Sequence, residues 1–277
     1  MTFLSLDAAA FPARPYDIRL VAVDMDGTLL DEHGRVPESL WALLDVLAER
    51  GIAFAPASGR QYATLRREFG EHGDDMVFIA ENGTFVVQRD REPSTDVIDP
   101  SIVSAATATV RALAYDVGIV LCGTRAAYIE RTDEAFRAEV DRYYASVEEV
   151  SDLDGVDDPI VKLAIYDFGD AEQQTAPALA DIARTHQVVL SSHHWVDIMN
   201  RGINKGEALR RLQRLLGITP AQTVVFGDYL NDLEMMDAAD LSFAMANAHP
   251  AVAARARYRA PSNVDHGVIR VLERLLS

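Results

Sequence analysis

The stretch IRLVAVDMDGT, residues 18–28, decides the fold. It opens with a short apolar run rich in β-branched residues, ends that run on Asp24, and reaches Gly27 three residues later. That is how a buried parallel strand runs out into a loop. Outward from it, PESLWALLDVLAER (37–50) carries apolar residues at helical spacing, with Gly51 as a C-terminal stop. IAFAPA (52–57) is a second buried strand, followed by Ser58-Gly59. Residues 62–69 suit a helix, and MVFIA (76–80) a third strand ending in Glu81-Asn82-Gly83. Strands and helices alternating at these lengths predict parallel βαβ units with helices on both faces.

Beyond residue 84 the pattern changes. Residues 85–88 and 96–98 suit a hairpin, and 101–117 a helix. Strands at 119–123 and 126–131 flank a turn at Thr124-Arg125. Helices are expected at 133–144 and 171–186, and strands at 160–166, 188–191 and 196–199. This reads as an inserted α+β unit. The opening pattern then returns as helix 205–216, strand 224–226, short helix 231–237, strand 241–244 and helix 268–276. The expected organisation is an N-terminal extension (1–17), a Rossmann-like, doubly wound α/β core (18–84 and 198–277) and an inserted α+β domain (85–197).

The 277 residues are 49% hydrophobic and 25% charged, an ordinary globular balance. A net charge of −17 argues against nonspecific nucleic-acid binding, which needs clustered Lys and Arg. It would also repel an anionic substrate unless a bound divalent metal and a lysine override the field locally. The single cysteine, Cys122, excludes an intrachain disulfide and suits a reducing, cytoplasmic setting. Its apolar neighbours make it a small core residue. No apolar run approaches the roughly 20 residues of a membrane helix, and the N-terminus lacks the pattern of a signal peptide. The expectation is a cytoplasmic monomer or small homo-oligomer with neither membrane nor nucleic acid as partner.

Four separated sites fall where open α/β sheets bind ligands, at the carboxyl ends of strands. Asp24 and Asp26, at i and i+2 after the first strand, can divide the work of phosphoryl transfer. One attacks phosphorus, and the other protonates the leaving oxygen and then activates water. An Asx-rich turn after a strand is the alternative reading of that pentapeptide. Ser58, with the loop N–H groups around Gly59, suits a phosphate oxygen, although taken alone a helix N-cap is the readier account of it. Lys205 sits at a helix start, where the dipole disfavours a cation. That placement is useful if the ammonium meets a phosphate and Asp24; a solvated surface lysine is the alternative. The fourth site is GDYLND, 227–232, which is either a capping turn or the source of a magnesium ligand in Asp228. With Asp24 and one backbone carbonyl, that of Asp26, it would supply enough hard oxygen donors.

Taken together, DMDGT (24–28), Ser58, Lys205 and GDYLND (227–232) resemble the four motifs of the haloacid dehalogenase-like phosphohydrolases. Glu81-Asn82-Gly83, Asn204-Lys205-Gly206, Met245-Ala246-Asn247-Ala248 and Asp265-His266-Gly267-Val268 are similar to the Cof-type subfamily. The insert lies where such proteins carry a C2-type cap (class IIB). The resemblance implies Asp24 as nucleophile and Asp26 as general acid and base. Ser58, Gly59, Lys205 and Asn231 would hold the phosphoryl group. Mg²⁺ would be bound by Asp24, Asp228 and the backbone of Asp26, and Asp232 would orient Lys205 or assist at the metal.

The implied function is a magnesium-dependent phosphatase for a small phosphorylated metabolite, with sugar phosphates as the first expectation. A phosphomutase and a catalytically idle binding protein on the same scaffold remain alternatives. His193-His194-Trp195 reads as an exposed turn or edge of the insert, Arg125 and Arg131 as a solvated face, and Asn247 as a turn or a site residue.

Overall fold

The computed structural model describes residues 16–88 and 91–277, with the backbone alone at 91–94. The expected extension, 1–17, lies almost wholly outside the described residues. The chain lays down β1 (Leu20–Asp24), β2 (Ala53–Ala57), β3 (Val77–Ala80), β4 (Phe85–Gln88) and β5 (Arg91–Thr95). Next come β6 (Val117–Gly123), β7 (Ala127–Ile129), β8 (Val147–Glu149), β9 (Ile160–Asp167), β10 (His186–Leu190) and β11 (Trp195–Asn200). It finishes with β12 (Thr223–Gly227), β13 (Leu241–Met245) and β14 (Tyr258–Ala260).

Eight strands form one sheet in the order β14-β13-β12-β1-β2-β3-β4-β5. From β14 to β3 all pairings are parallel. The chain winds outward from β1 through β2 and β3, then returns and winds the other way from β12. Strand order therefore reverses between β1 and β12. Alternation along β1 sends Val21 and Val23 to one face, against Leu40, Leu44 and Leu47 of helix Ser39–Glu49. Leu20 and Ala22 go to the other, against Leu209 and Leu212 of helix Lys205–Leu216. Both faces are covered, as the apolar runs required.

The other six strands form a second sheet, β10-β11-β9-β6-β7-β8, antiparallel except for β7–β8. Helix Pro100–Arg111 packs on one face through Val103, Ala106 and Val110. Helix Glu134–Tyr143 packs on the other through Phe136 and Val140, beside Tyr144 and Trp195. The two passages between sheets are tied together. The Asn200 amide donates to Asp96 Oδ1 at 2.6 Å and to the Val97 carbonyl at 2.9 Å.

Three expectations are corrected. The hairpin partner of β4 is β5 rather than 96–98, and the hairpin extends the first sheet antiparallel to β3. The second unit therefore begins near residue 96, not 85. The expected helix 171–186 is only Thr175–Ala178 with a 3₁₀ turn at Ile182–Arg184. Pro177 lacks an N–H and constrains the residue before it, which shortens the helix. Residue 186, given to that helix, begins β10. Among the described residues, no helix is long and apolar enough to cross a membrane.

Candidate active site

Asp24 closes β1, and Asp228 follows β12, its parallel neighbour, so the two carboxylates leave the sheet side by side at the reversal point. Gly27 makes the approach of the loops possible. Its φ is +80°, and a Cβ there would stand 2.3 Å from Asp228 Oδ2. The Thr28 hydroxyl donates to Asp228 Oδ1 at 2.9 Å. Asp232 supplies a third buried carboxylate, and oxygens of Asp24, Asp228 and Asp232 lie within 4.8 Å of one another.

Lys205, wholly buried, begins its helix after Asn204, whose side chain caps it by accepting from the Glu207 N–H at 2.8 Å. Its ammonium donates to Asp24 Oδ1 at 2.5 Å and to Asp232 Oδ1 at 2.8 Å. The remaining Asp232 oxygen accepts from the N–H groups of Asp228 and Tyr229 at 3.0 and 3.2 Å. Asp232 is thus engaged on both oxygens by the protein.

Three carboxylates surround one ammonium here. Burial, then the charge of Asp232, pushes Asp24 up to about 7, with Lys205 opposing only in part. Burial, then Asp24 and Asp232, pushes Asp228 up to about 9. A buried cluster of hard oxygen donors short of positive charge fits a divalent cation such as Mg²⁺.

Ser58 follows β2 and is buried; its Oγ accepts the Arg60 N–H at 3.1 Å. Gly59 lies against the Asn82 amide, which a Cβ would meet at 3.2 Å. Asn231 donates to Asn82 Oδ1 at 3.0 Å. Asp24, Asp26, Ser58, Gly59 and Asn231 line one cleft, facing Tyr143, Tyr144, Lys162, Ser191, Trp195 and Asp197 of the second unit. Lys205, Asp228 and Asp232 stand behind Asp24.

Arg60 and Lys162 also line this cleft, although neither belongs to one of the four motifs. The buried Arg60 guanidinium grips the half-exposed Asp26 with Nε to Oδ2 at 2.7 Å and Nη2 to Oδ1 at 2.5 Å. It also pairs with Glu68 and stacks over Tyr143. The signal available for Lys162 was a lysine inside the otherwise apolar run IVKLAIY.

The weaker candidates sort differently. Arg125 pairs with Asp158, and Arg131 with Asp116 and Asp133; neither lines the cleft. Trp195, expected at an exposed turn, is buried and lines the cleft. His194 faces the Asp167 carbonyl at 2.9 Å. Asn247 ties loops, donating to the Gly27 carbonyl at 2.8 Å and accepting from the Asn263 N–H at 3.3 Å. Cys122 is buried as expected, with the Tyr144 hydroxyl 3.5 Å away.

The haloacid dehalogenase-like hydrolase family matches residues 21–272. The 5-amino-6-(5-phospho-D-ribitylamino)uracil phosphatase YbjI of Escherichia coli (strain K12) is 36% identical over 265 residues, 94% of this chain and 96% of the relative. The HMP-PP phosphatase of Cronobacter sakazakii is 27% identical, covering 84% of this chain and 85% of the relative. A crystal structure from Streptococcus mutans UA159 superposes with a TM-score of 0.88 at 27% identity, covering 94% and 99% of the two chains. The subclass IIB sugar phosphatase BT4131 shares the fold, with a TM-score of 0.80 at 20% identity over 92% and 98%. The chain belongs to the haloacid dehalogenase-like hydrolases, Cof-type with the subclass IIB fold, and is a phosphoric monoester hydrolase.

Proposed function

We propose that this chain is a magnesium-dependent phosphatase for small phosphorylated metabolites that works through an aspartyl phosphate on Asp24. The observation that carries the reading is Asp24 held by Lys205 beside Asp228 and Asp232, at the floor of a cleft that the second unit roofs. Asp24, Asp228 and the Asp26 carbonyl would hold Mg²⁺, which would neutralise charge on the phosphoryl oxygens when bound. Asp24 attacks phosphorus as the bond to the leaving oxygen breaks, and Asp26 gives that oxygen its proton. Asp26 then takes a proton from water, which attacks phosphorus and frees Asp24 and phosphate. Ser58, Gly59, Lys205 and Asn231 hold the phosphoryl group, Asp232 orients Lys205, and Arg60 fixes the carboxyl of Asp26.

The six-stranded unit, from about residue 96 to 197, serves as a cap that excludes water and selects the leaving group. For the substrate we keep sugar phosphates and add polyol phosphates joined to a planar ring. The E. coli relative bears the name of such a compound. Tyr143, Tyr144 and Trp195 beside Ser191 and Asp197 offer both stacking and polar contacts. The lone buried cysteine keeps the cytoplasm as the proposed location. The test is a panel of sugar, polyol and ring-bearing phosphate esters, assayed with magnesium and with EDTA. Chelation should abolish turnover and magnesium restore it. Full activity after rigorous chelation, or a best substrate outside these esters, would overturn the respective part. An isomerised sugar phosphate in place of released phosphate would identify a mutase.

A further inference from the structure

Lys162 is the feature the reaction above leaves unused. It stands on β9 opposite Cys122, where the register shifts between Cys122 and Gly123. From there the strand alternates, and Lys162 shares a face with Ala164 and Tyr166, the face bearing Tyr144 and Trp195. Its side chain is 1% exposed, a rare state for lysine. The ammonium donates to the carbonyl of Gly59 at 2.6 Å. It also pairs with Glu81 Oε2 at 2.6 Å and lies 3.8 Å from Asp197 Oδ1. Gly59 and Glu81 belong to the eight-stranded core, whereas Lys162 and Asp197 belong to the second unit. The other oxygen of Asp197 accepts from Asn82 and Ser191, and Asn82 in turn accepts from Asn231 at 3.0 Å.

Two links thus run from the second unit into the loops assigned to the phosphoryl group. One goes through Lys162 to the peptide of Gly59, the other through Asp197 and Asn82 to Asn231. Removing an ammonium and two carboxylates from water is offset by their attraction at best, so stability does not account for the cluster. The Gly59–Arg60 peptide is held at its N–H by Ser58 Oγ, at 3.1 Å, and at its carbonyl by the Lys162 ammonium.

We propose that Lys162 is a positioning residue that couples closure of the cap to the geometry of the phosphate-binding loop, by fixing the Gly59 peptide only when the two units are docked. This rests on the phosphatase reading above. Lys162 acts on every substrate alike, because its partner is the loop and not the leaving group. An unclosed cap therefore leaves the loop unset, which suppresses hydrolysis before a leaving group is enclosed.

The test compares wild type with Lys162→Met, Glu81→Gln and the double variant Glu81→Gln/Lys162→Met, using a small aryl phosphate and the best metabolite ester. The double variant keeps the net charge of the cluster at −1, since one cation and one of two carboxylates are removed together. It should fold even where Lys162→Met alone leaves two buried carboxylates uncompensated. Misplacement of reacting groups by about 1 Å can cost roughly 100-fold. Both variants lacking Lys162 should lose about 10- to 100-fold in kcat on both substrates with KM within about threefold. Glu81→Gln, which keeps the bond to Gly59, should stay near wild type. A rise in KM confined to the metabolite ester would make Lys162 a leaving-group contact and overturn the proposal. So would equal losses in Glu81→Gln and the double variant, or wild-type kcat in the double variant. A wild-type enzyme inactive on all phosphate esters would instead sink the phosphatase reading, and this one with it.

Discussion

Replacing Gly27 by alanine puts the proposed metal site under direct strain. The new Cβ would stand 2.3 Å from Asp228 Oδ2 and 2.9 Å from Asp228 Cγ, at a residue whose φ is +80°. Holding a non-glycine residue in such a backbone region costs about 1–3 kcal/mol. The Asp228 carboxylate cannot simply swing aside, because it is buried and accepts from the Thr28 hydroxyl at 2.9 Å. With magnesium present and Asp228 ionised, losing that charge-assisted bond costs about 1.5–3 kcal/mol more. The sum is about 2.5–6 kcal/mol, or about 5–20 °C in Tm for a chain of this size. Displacement of Asp228 should also weaken Mg²⁺, with the concentration for half-maximal activity rising at least about tenfold, as for loss of a supporting group at a metal site. Thermal unfolding and a magnesium titration of turnover measure the two effects. Wild-type magnesium dependence in a stably folded Gly27→Ala protein would refute the assignment of Asp228 to the metal.

Other outcomes follow from the same geometry. Asp24→Asn should abolish both phosphoenzyme and turnover, whereas Asp26→Asn should lose about 10²–10⁴-fold on alkyl phosphates and less on aryl phosphates. Rapid-quench labelling with peptide mapping decides, and label anywhere but Asp24 reverses the roles. In the metal-free protein, Asp24 and Asp228 have folded pKa values raised to about 7 and about 9, above the ordinary carboxylate range. The folded state then binds more protons than the unfolded one between about pH 4 and 9, so apo stability should rise as pH falls through that window and the trend should flatten with Mg²⁺. A Tm of the chelated protein that climbs with pH would contradict this. Trp195→Ala should raise KM for a ring-bearing ester more than for a small aryl phosphate; equal changes would remove Trp195 from leaving-group recognition.

Much of this was legible before any coordinates, and the reason is local. β1, β2 and β12 are short apolar runs that stop at Asp24, Ser58 and Asp228, so composition and chemistry mark the same residues. The helix at Lys205 begins and ends where Asn204 and Gly217 put it, by a side-chain cap and a left-handed stop. What escaped depends on partners far away in the chain. β5 was misplaced because its strand character comes from the edge of β4, and β8 and β14 are three-residue strands defined only by their neighbours. Pro177 carried a readable warning that the helical spacing of 171–186 concealed. Arg60 and Lys162 are ordinary letters until the fold sets one against Asp26 and the other against Gly59.

The Asn200 amide, bonded to Asp96 and Val97, makes the outgoing and returning passages one pair rather than two independent tethers. A body hung on two stapled cords has one easy axis of swing and little freedom to slide or twist. The same closeness of exit and return means that the whole intervening segment can be exchanged for one of another size without shifting the register of the strands that carry the aspartates. On the proposed reading of the two units, chemistry and choice of substrate would be separable: one fixed reaction centre, and over it a door that can be rehung.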